Sequence, residues 1–408
     1  MSSAPRIAVS TVALAIMVAP STAQSPTGPA LRYEMDVATR SGLGAGMRGG
    51  MGGAMSMMMG SGSGDGVERS VSLRQGSTRT VTGQARADHF FLPAARLGKS
   101  VPLTGNRGGV GEEPELPDGA ERPKGRVLLF WGCGAKAGPG QPLIIDFAKV
   151  AAGQMPAGMP TATIPGTRGV TSANSRSIVT WPALDKPKPG SSLLGAHRIT
   201  GNLGPEIAFT LAQDYMDALS ARTTTLPDGS VSLRWTGLPT ATGYTATAIG
   251  GMDRMERGGD VIWWTSANTR DFSSGMSGWL PPATVTTLIA RKTVMPPTQT
   301  SCQMSAEFKK AAGEMTITTL NAFGPEANFA YPPRPPGNAP WNPDWTAKVR
   351  FRAETTLMSG VDMAGMADGG RDAPAPERCK PKKKGGLGGM LGGALGGIMG
   401  GGGEPNGC

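Results

Sequence analysis

Methionine is the residue type whose spacing most invites chemistry in this chain. The stretch GMRGGMGGAMSMMMG, residues 46–60, sets Met47, Met51, Met55, Met57, Met58 and Met59 on a backbone rich in glycine. Thioether sulfur is a soft ligand that selects Cu(I) over harder cations, and a flexible backbone lets several sulfurs converge on one ion. A second group, Met358, Met363 and Met366, lies in LMSGVDMAGM. The competing reading is methionine as a flexible apolar filler of adaptable contact surfaces. No histidine or cysteine lies within either group.

The residues of acid–base and nucleophilic catalysis are sparse. The only two histidines are His89 in ADHFFLP and His197 in LGAHRIT, and neither sits in a motif that would support a catalytic triad. Cys133 in WGCG could serve as a nucleophile, but in an exported chain it reads better as half of a disulfide. The run GAGMRG, residues 44–49, matches a dinucleotide-binding pattern in form, without the helix that must follow it. The run RLGKS, residues 96–100, ends like a phosphate loop, but Pro93 occupies the place of that loop's first glycine. Carboxylates are numerous, as in GEEPELPD, and no pair stands out for proton transfer. Trp341 and Trp345 in APWNPDW offer either an exposed platform for glycan or peptide, or aromatic packing against proline at a core edge. Catalysis is therefore the third reading, after interaction and copper binding.

The ends of the chain place these residues. Arg6, the apolar run IAVSTVALAIMVA, and small residues Ser21 and Ala23 before Gln24 read as a secretory signal peptide over residues 1–23. The apolar run is shorter than the roughly 20 residues that span a bilayer. The formal net charge is +10. In an exported protein this predicts contact with membrane surface or an envelope partner rather than nucleic acid. Four cysteines, Cys133, Cys302, Cys379 and Cys408, allow three disulfide pairings. We favour Cys133–Cys302 within a folded body and Cys379–Cys408 closing the tail.

That tail follows Lys382–Lys384 and is mostly glycine from residue 385 to 403. A small-xxx-small helix there would suit lipid. In water its glycines cost about 1 kcal/mol each relative to alanine, and an unstructured tail is the favoured reading.

Between the ends, strand signals dominate. LRYEMDVA sets Leu31, Tyr33, Met35 and Val37 against Arg32, Glu34 and Asp36. EIAFTL alternates through Ile207, Phe209 and Leu211, and KVRFRAET sets Val349, Phe351 and Ala353 against Lys348, Arg350, Arg352 and Glu354. Such period-two patterns predict half-buried strands. RVLLFW and LIIDF are short continuous apolar runs, predicting central strands buried on both faces. Helices are predicted in PPATVTTLIARK, in SAEFKKAAG with Ser305 as N-cap and Gly313 as stop, and for a turn or two in DYMDALSA.

The segment VSLRWTGLPTATGYTATAIGG, with Trp235 and Tyr244 on successive strands, resembles a fibronectin type III module, as does LNAFGPEANFAYPPRP further on. The resemblance covers about 222–336 and implies a binding or spacer module without catalytic residues. Through FWGCGAKAGPGQP, GPEIAF and NFAYPPRPP, the whole chain also resembles a group of uncharacterised exported proteobacterial proteins. That likeness implies export and no particular activity.

The expected architecture is mainly β, with two immunoglobulin-like or β-sandwich units over 30–218 and 219–336 and short helices. Residues 42–66 form a Met/Gly-rich loop in the first unit. Residues 337–358 hold a linker and a returning strand, and 359–408 a low-complexity basic and glycine-rich tail. Both methionine groups follow well-patterned strands, so they would act together if those strands are neighbours. The expected role is that of a non-catalytic, exported envelope or secreted interaction protein. A periplasmic Cu(I)-binding protein is the alternative.

Overall fold

The computed structural model describes residues 28–45, 66–105, 125–154, 156, 169–181, 188–251, 254, 259–270, 278–337 and 339–360. Within them the protein is mainly β. Thirteen strands form one mixed sheet and three form a second.

The spine of the large sheet is a pair of long strands, β15 (Thr316–Tyr331) and β16 (Trp345–Ser359). They run antiparallel, with a register shift between Phe323 and Glu326. On its other side β16 pairs in parallel with β1 (Leu31–Gly42), from Leu31 opposite Trp345 to Gly42 opposite Thr356. The strand at 347–357 therefore bonds to a strand from each of the two segments expected as units. Beyond β1 the sheet continues through β2 (Val67–Ser77), β7 (Ser177–Trp181), β4 (Ser100–Thr104), β3 (Arg86–Phe90), β8 (Gly195–Gly201) and β9 (Ile207–Leu211). Beyond β15 it continues through β12 (Gly243–Gly250), β13 (Val261–Thr265), β5 (Arg126–Trp131) and β6 (Leu143–Asp146). The small sheet is β10 (Ala221–Thr225), β11 (Val231–Trp235) and β14 (Ser301–Met304).

The large sheet curls over itself. Neighbouring strands lie about 4.8 Å apart, so on a flat sheet β1 and β3, four positions apart, could not touch. Yet the Tyr33 hydroxyl meets the His89 ring, and Phe209 of edge strand β9 stacks on Phe329 of β15 at 4.7 Å. The space between the curled halves holds Leu31, Tyr33, Met35, Leu73, Leu103, Ile199 and Ile207, all buried.

Several expectations hold at residue level. Ile207, Phe209 and Leu211 are buried between exposed neighbours. Trp235 and Tyr244 are core aromatics 5.4 Å apart. Of the adjacent tryptophans, Trp264 is buried and Trp263 is half-buried. The helices α2 (Pro282–Ala290) and α3 (Ala306–Ala312) form where predicted, and Ser305 caps α3 by accepting from the Phe308 N–H. A further short helix, α1 (Phe147–Ala151), begins at Asp146, whose carboxylate accepts from the Ala148 and Lys149 N–H groups.

Three expectations are corrected. The segment DYMDALSA forms no helix: the Met216 carbonyl accepts from Thr39 Oγ1 and the Leu219 carbonyl from Ser41 Oγ, so tertiary bonds take the acceptors a helix would use. RVLLFW and LIIDF are not buried on both faces: β6 is an edge strand, Ile144 is 45% exposed, and Leu128 is half-buried. A short apolar run fits an edge strand as well as a central one. Conversely, β1 and β16 are not half-buried. Glu34, Asp36, Arg350 and Arg352 are all buried: Arg350 pairs across the strands with Glu34 and Asp36, and Arg352 pairs with Glu354 of its own strand and lies over the Trp279 ring.

Cys133, just after β5, is disulfide-bonded to Cys302 of β14 and so ties the two sheets together. Cys379 and Cys408 lie outside the described residues.

Candidate binding groove and buried histidine pair

Where β1 and β16 begin and β15 ends, the proline-rich loop between β15 and β16 folds back against the sheet. The Leu31 N–H donates to the Asp344 carbonyl at 3.2 Å, and the Asp344 N–H donates to the Tyr331 carbonyl at 2.7 Å. Proline fixes φ near −65°, and this loop carries Pro332, Pro333, Pro335, Pro336, Pro340 and Pro343. The Trp341 indole N–H donates to the Pro332 carbonyl at 3.0 Å. Trp345 is buried and stacks against the exposed Tyr331 ring at 6.3 Å. Trp345 therefore packs at the core edge, as one sequence reading expects, while Trp341 is half-buried against its own loop.

Between this loop and β9 lies a groove of 600 Å³. Its lining includes the aromatic residues Tyr33, Phe209, Phe329, Trp341 and Trp345, and the polar residues Arg32, Glu34, Asn328, Arg334 and Lys348; in the strand register Arg32, Glu34, Asn328 and Lys348 alternate with Tyr33 and Phe329, so their side chains face the other side of the sheet. This size falls within the range of small-molecule sites.

The charges of the groove are of two kinds. Those at its floor are compensated. The Glu34 carboxylate accepts the Gly169 N–H at 2.5 Å and the Val170 N–H at 3.2 Å, with an Arg350 nitrogen 3.6 Å away. Arg350 donates twice to Asp36, at 2.7 and 2.9 Å. Arg350 and Arg352 both lie against the Trp279 ring, at 5.7 and 4.7 Å from its centre. Lys348 faces Glu326 at 3.4 Å. Those at the rim are different. Among the described residues Arg32 donates to the Asn174 carbonyl at 3.3 Å, and Arg334 lies over the Trp341 ring at 5.6 Å. Among the described residues neither meets a carboxylate. Partial burial lowers the pKa of Arg32, the direction in which removing water from a guanidinium acts.

Behind the aromatic wall the only two histidines meet. In the β3–β8 pairing His89 lies opposite Ile199, and His197 is two residues along the same face. The rings are bonded from His89 Nε2 to His197 Nδ1 at 2.9 Å. His89 Nδ1 meets the Tyr33 hydroxyl at 2.5 Å, and His197 Nε2 meets the Leu193 carbonyl at 2.7 Å. One proton assignment satisfies every atom. His197 Nε2–H donates to the carbonyl, so its Nδ1 accepts from His89 Nε2–H, and His89 Nδ1 accepts from Tyr33. Both rings are then neutral. Burial, and for His89 also the neighbouring His197, lowers the histidine pKa values, and burial raises that of Tyr33. Phe91 stacks on His89 at 3.9 Å, and Phe209 stacks on His197 at 5.0 Å. Phe209 and Tyr33 thus belong to both the histidine cluster and the groove.

The sequence could not pair histidines 108 residues apart. The available signal was that each stands on a strand among aromatic or apolar neighbours.

The residues of the copper reading, Met47, Met51, Met55, Met57, Met58 and Met59, lie outside the described residues, as do Met363 and Met366. Met358 stands near the end of β16 and is 39% exposed. Because β1 and β16 are parallel neighbours, the two strands that precede the methionine groups end side by side. Cys133, as a disulfide, offers no thiolate. Arg96 of the RLGKS run lies in a second hollow with Lys99, Lys188 and Phe91. Among the described residues no group of three or more histidine, cysteine, aspartate or glutamate side chains is arranged to hold a metal ion, and no helix is long and apolar enough to cross a membrane. No protein-family model matches the chain, and no curated protein does either.

Proposed function

We propose that this is a non-catalytic, exported interaction protein of the cell envelope or surroundings, and that the groove between β9 and the start of β16 receives its ligand. The observation that carries this reading is the aromatic groove itself, bordered by a proline-rich loop and by Arg32 and Arg334, which meet no carboxylate among the described residues. A pre-formed concave site with apolar walls and a few polar groups suits ligand binding. The state of the usual reactive groups argues in the same direction. Both histidines spend their ring nitrogens on each other, Tyr33 and a carbonyl, and Cys133 is a disulfide. The leader-like N-terminus and the disulfide both suit an exported chain.

The test is an array of glycans and peptides probed with the protein and with Trp341→Ala. Trp341 packs on the loop at the groove and is half-buried, so its loss should leave the fold intact. Signals seen with the natural protein should vanish in the variant. Identical arrays for the two proteins would remove the groove from the account.

A further inference from the structure

We infer that the groove takes an extended peptide, which adds as a strand between the facing edges of β9 and of the last part of β15. The inference rests on the groove being the binding site and goes beyond it to the class of ligand.

The first observation is the order of the strands. From β15 through β16 and β1 to β9, nine strands follow one another in the ladder, and the curl brings the two outer ones face to face. β12 covers the outer side of β15 only from Thr316 to Phe323. Among the described residues no strand pairs with that side of β15 from Glu326 to Tyr331, or with the side of β9 turned away from β8. The Phe209 and Phe329 rings stack across the opening. Yet the two strands form no ladder, and few of their Cα atoms come within 8 Å of each other. One added strand needs about 9.6 Å between its neighbours, twice the usual strand spacing.

The second observation is which backbone groups face the opening. The Leu31 N–H donates to the Asp344 carbonyl, so in the parallel β1–β16 ladder Trp345, Ala347 and Val349 turn their backbone groups to β15. Their partners Tyr331, Phe329 and Ala327 turn back to β16. Asn328 and Ala330 therefore turn their N–H and C=O groups to the opening. On the other side the Asn202 N–H donates to the Arg86 carbonyl, which sets His197 of β8 to bond with Phe209. Ala208 and Thr210 therefore turn theirs to the opening. Ala208, Asn328 and Ala330 all line the groove. Two facing rows of backbone donors and acceptors match an extended chain, which carries the same row on each of its own sides. A sugar has no such repeat. The stacked rings of Phe209 and Phe329 already fill the core side of the opening, so small side chains suit the inward positions of the added strand.

Amide hydrogen exchange of the full mature chain, followed by NMR, tests this with two probes. One is an acetylated heptapeptide of alternating threonine and alanine, and the other is the same peptide with its alanine amides N-methylated. In the free protein the N–H groups of Ala208, Thr210, Asn328 and Ala330 should exchange at least about tenfold faster than those of Phe209 and Phe329. Saturation with the first peptide should slow those four by at least about tenfold. The N-methylated peptide should bind at least about tenfold more weakly, the scale of losing two backbone hydrogen bonds. Ala208→Pro and Ala330→Pro each remove an N–H that faces the opening, a change that edge strands tolerate. Each should keep the circular dichroism of the natural protein and weaken the first peptide by about tenfold. Slow exchange of the four amides in the free protein would overturn the inference, because another part of the chain would then fill the opening. Equal binding of the two peptides would overturn it, as would binding that leaves the four amides unprotected. Failure of the first peptide to bind would also overturn it. The binding function would then stand or fall with the Trp341-dependent array signals.

Discussion

Tyr33, His89 and His197 form a one-way chain of donors that ends on the Leu193 carbonyl. Any added proton must break a bond in that chain, in a place where burial already disfavours charge. The folded-state pKa values of both histidines lie below the unfolded value of about 6.5. The unfolded chain therefore binds more protons as pH falls. The stability they contribute is complete above about pH 6.5 and declines below it, by up to about 1.4 kcal/mol per pH unit for each ring. Tyr33 acts oppositely: its raised pKa makes stability fall as pH rises above about 10. Urea unfolding at pH 7.5, 6 and 5 checks the acid limb, a window above the range where most carboxylates titrate. We expect a steady loss below pH 6.5 that His89→Gln flattens. A flat profile down to pH 5 would contradict the proton assignment. The sequence placed each histidine on a patterned segment, but its lack of a motif hid the contact, which depends on β3–β8 register and on sheet curl.

At the scale of elements, the alternation in LRYEMDVA and KVRFRAET located β1 and β16 and assigned one face of each to the core. It could not show that the charged face would be buried as well. Period-two patterning reports only polarity, and two polar faces that neutralise each other read the same as two that face water. The parallel register, with Asp36 opposite Arg350, is what allows burial. Helices were legible where a cap or proline marked their start, as at Ser305 and Pro282, and illegible at DYMDALSA, where distant hydroxyls capture the carbonyls. Removing one member of the buried pair should be costly. Arg350→Met leaves Asp36 and Glu34 buried without their cation, a loss of about 3–5 kcal/mol. Adding Asp36→Leu should recover much of that loss, because an apolar replacement of both partners carries no unpaired charge. Denaturant midpoints of the single and double variants check this. A single variant as stable as the natural protein would show that the pair is solvated.

At the scale of the molecule, one sheet of thirteen strands carries segments from both halves of the chain, with β16 at their junction and a disulfide linking the large sheet to the small one. The β-rich class was legible in strand patterning and turn residues. The strand order was not, because β1 pairs with β16 across most of the chain and β5 with β13 across about a third of it. The groove exists because of that order. It is built from the first strand, the last strand and an edge strand, which only a curled sheet brings together. Its aromatic residues were legible one at a time, Trp341 and Trp345 above all, but their meeting with Phe209 and Phe329 was not.

The groove is the central claim, and the indole N–H resonances of the eight tryptophans test it most directly. They can be followed by nitrogen-15 NMR during titration with a ligand found on the glycan and peptide arrays. Trp341 lines the groove, whereas Trp264 is buried in the core with its indole N–H bonded to the Gly132 carbonyl. The account predicts that the Trp341 resonance shifts with saturation while that of Trp264 stays fixed. Saturable binding with the Trp341 resonance unmoved would contradict it.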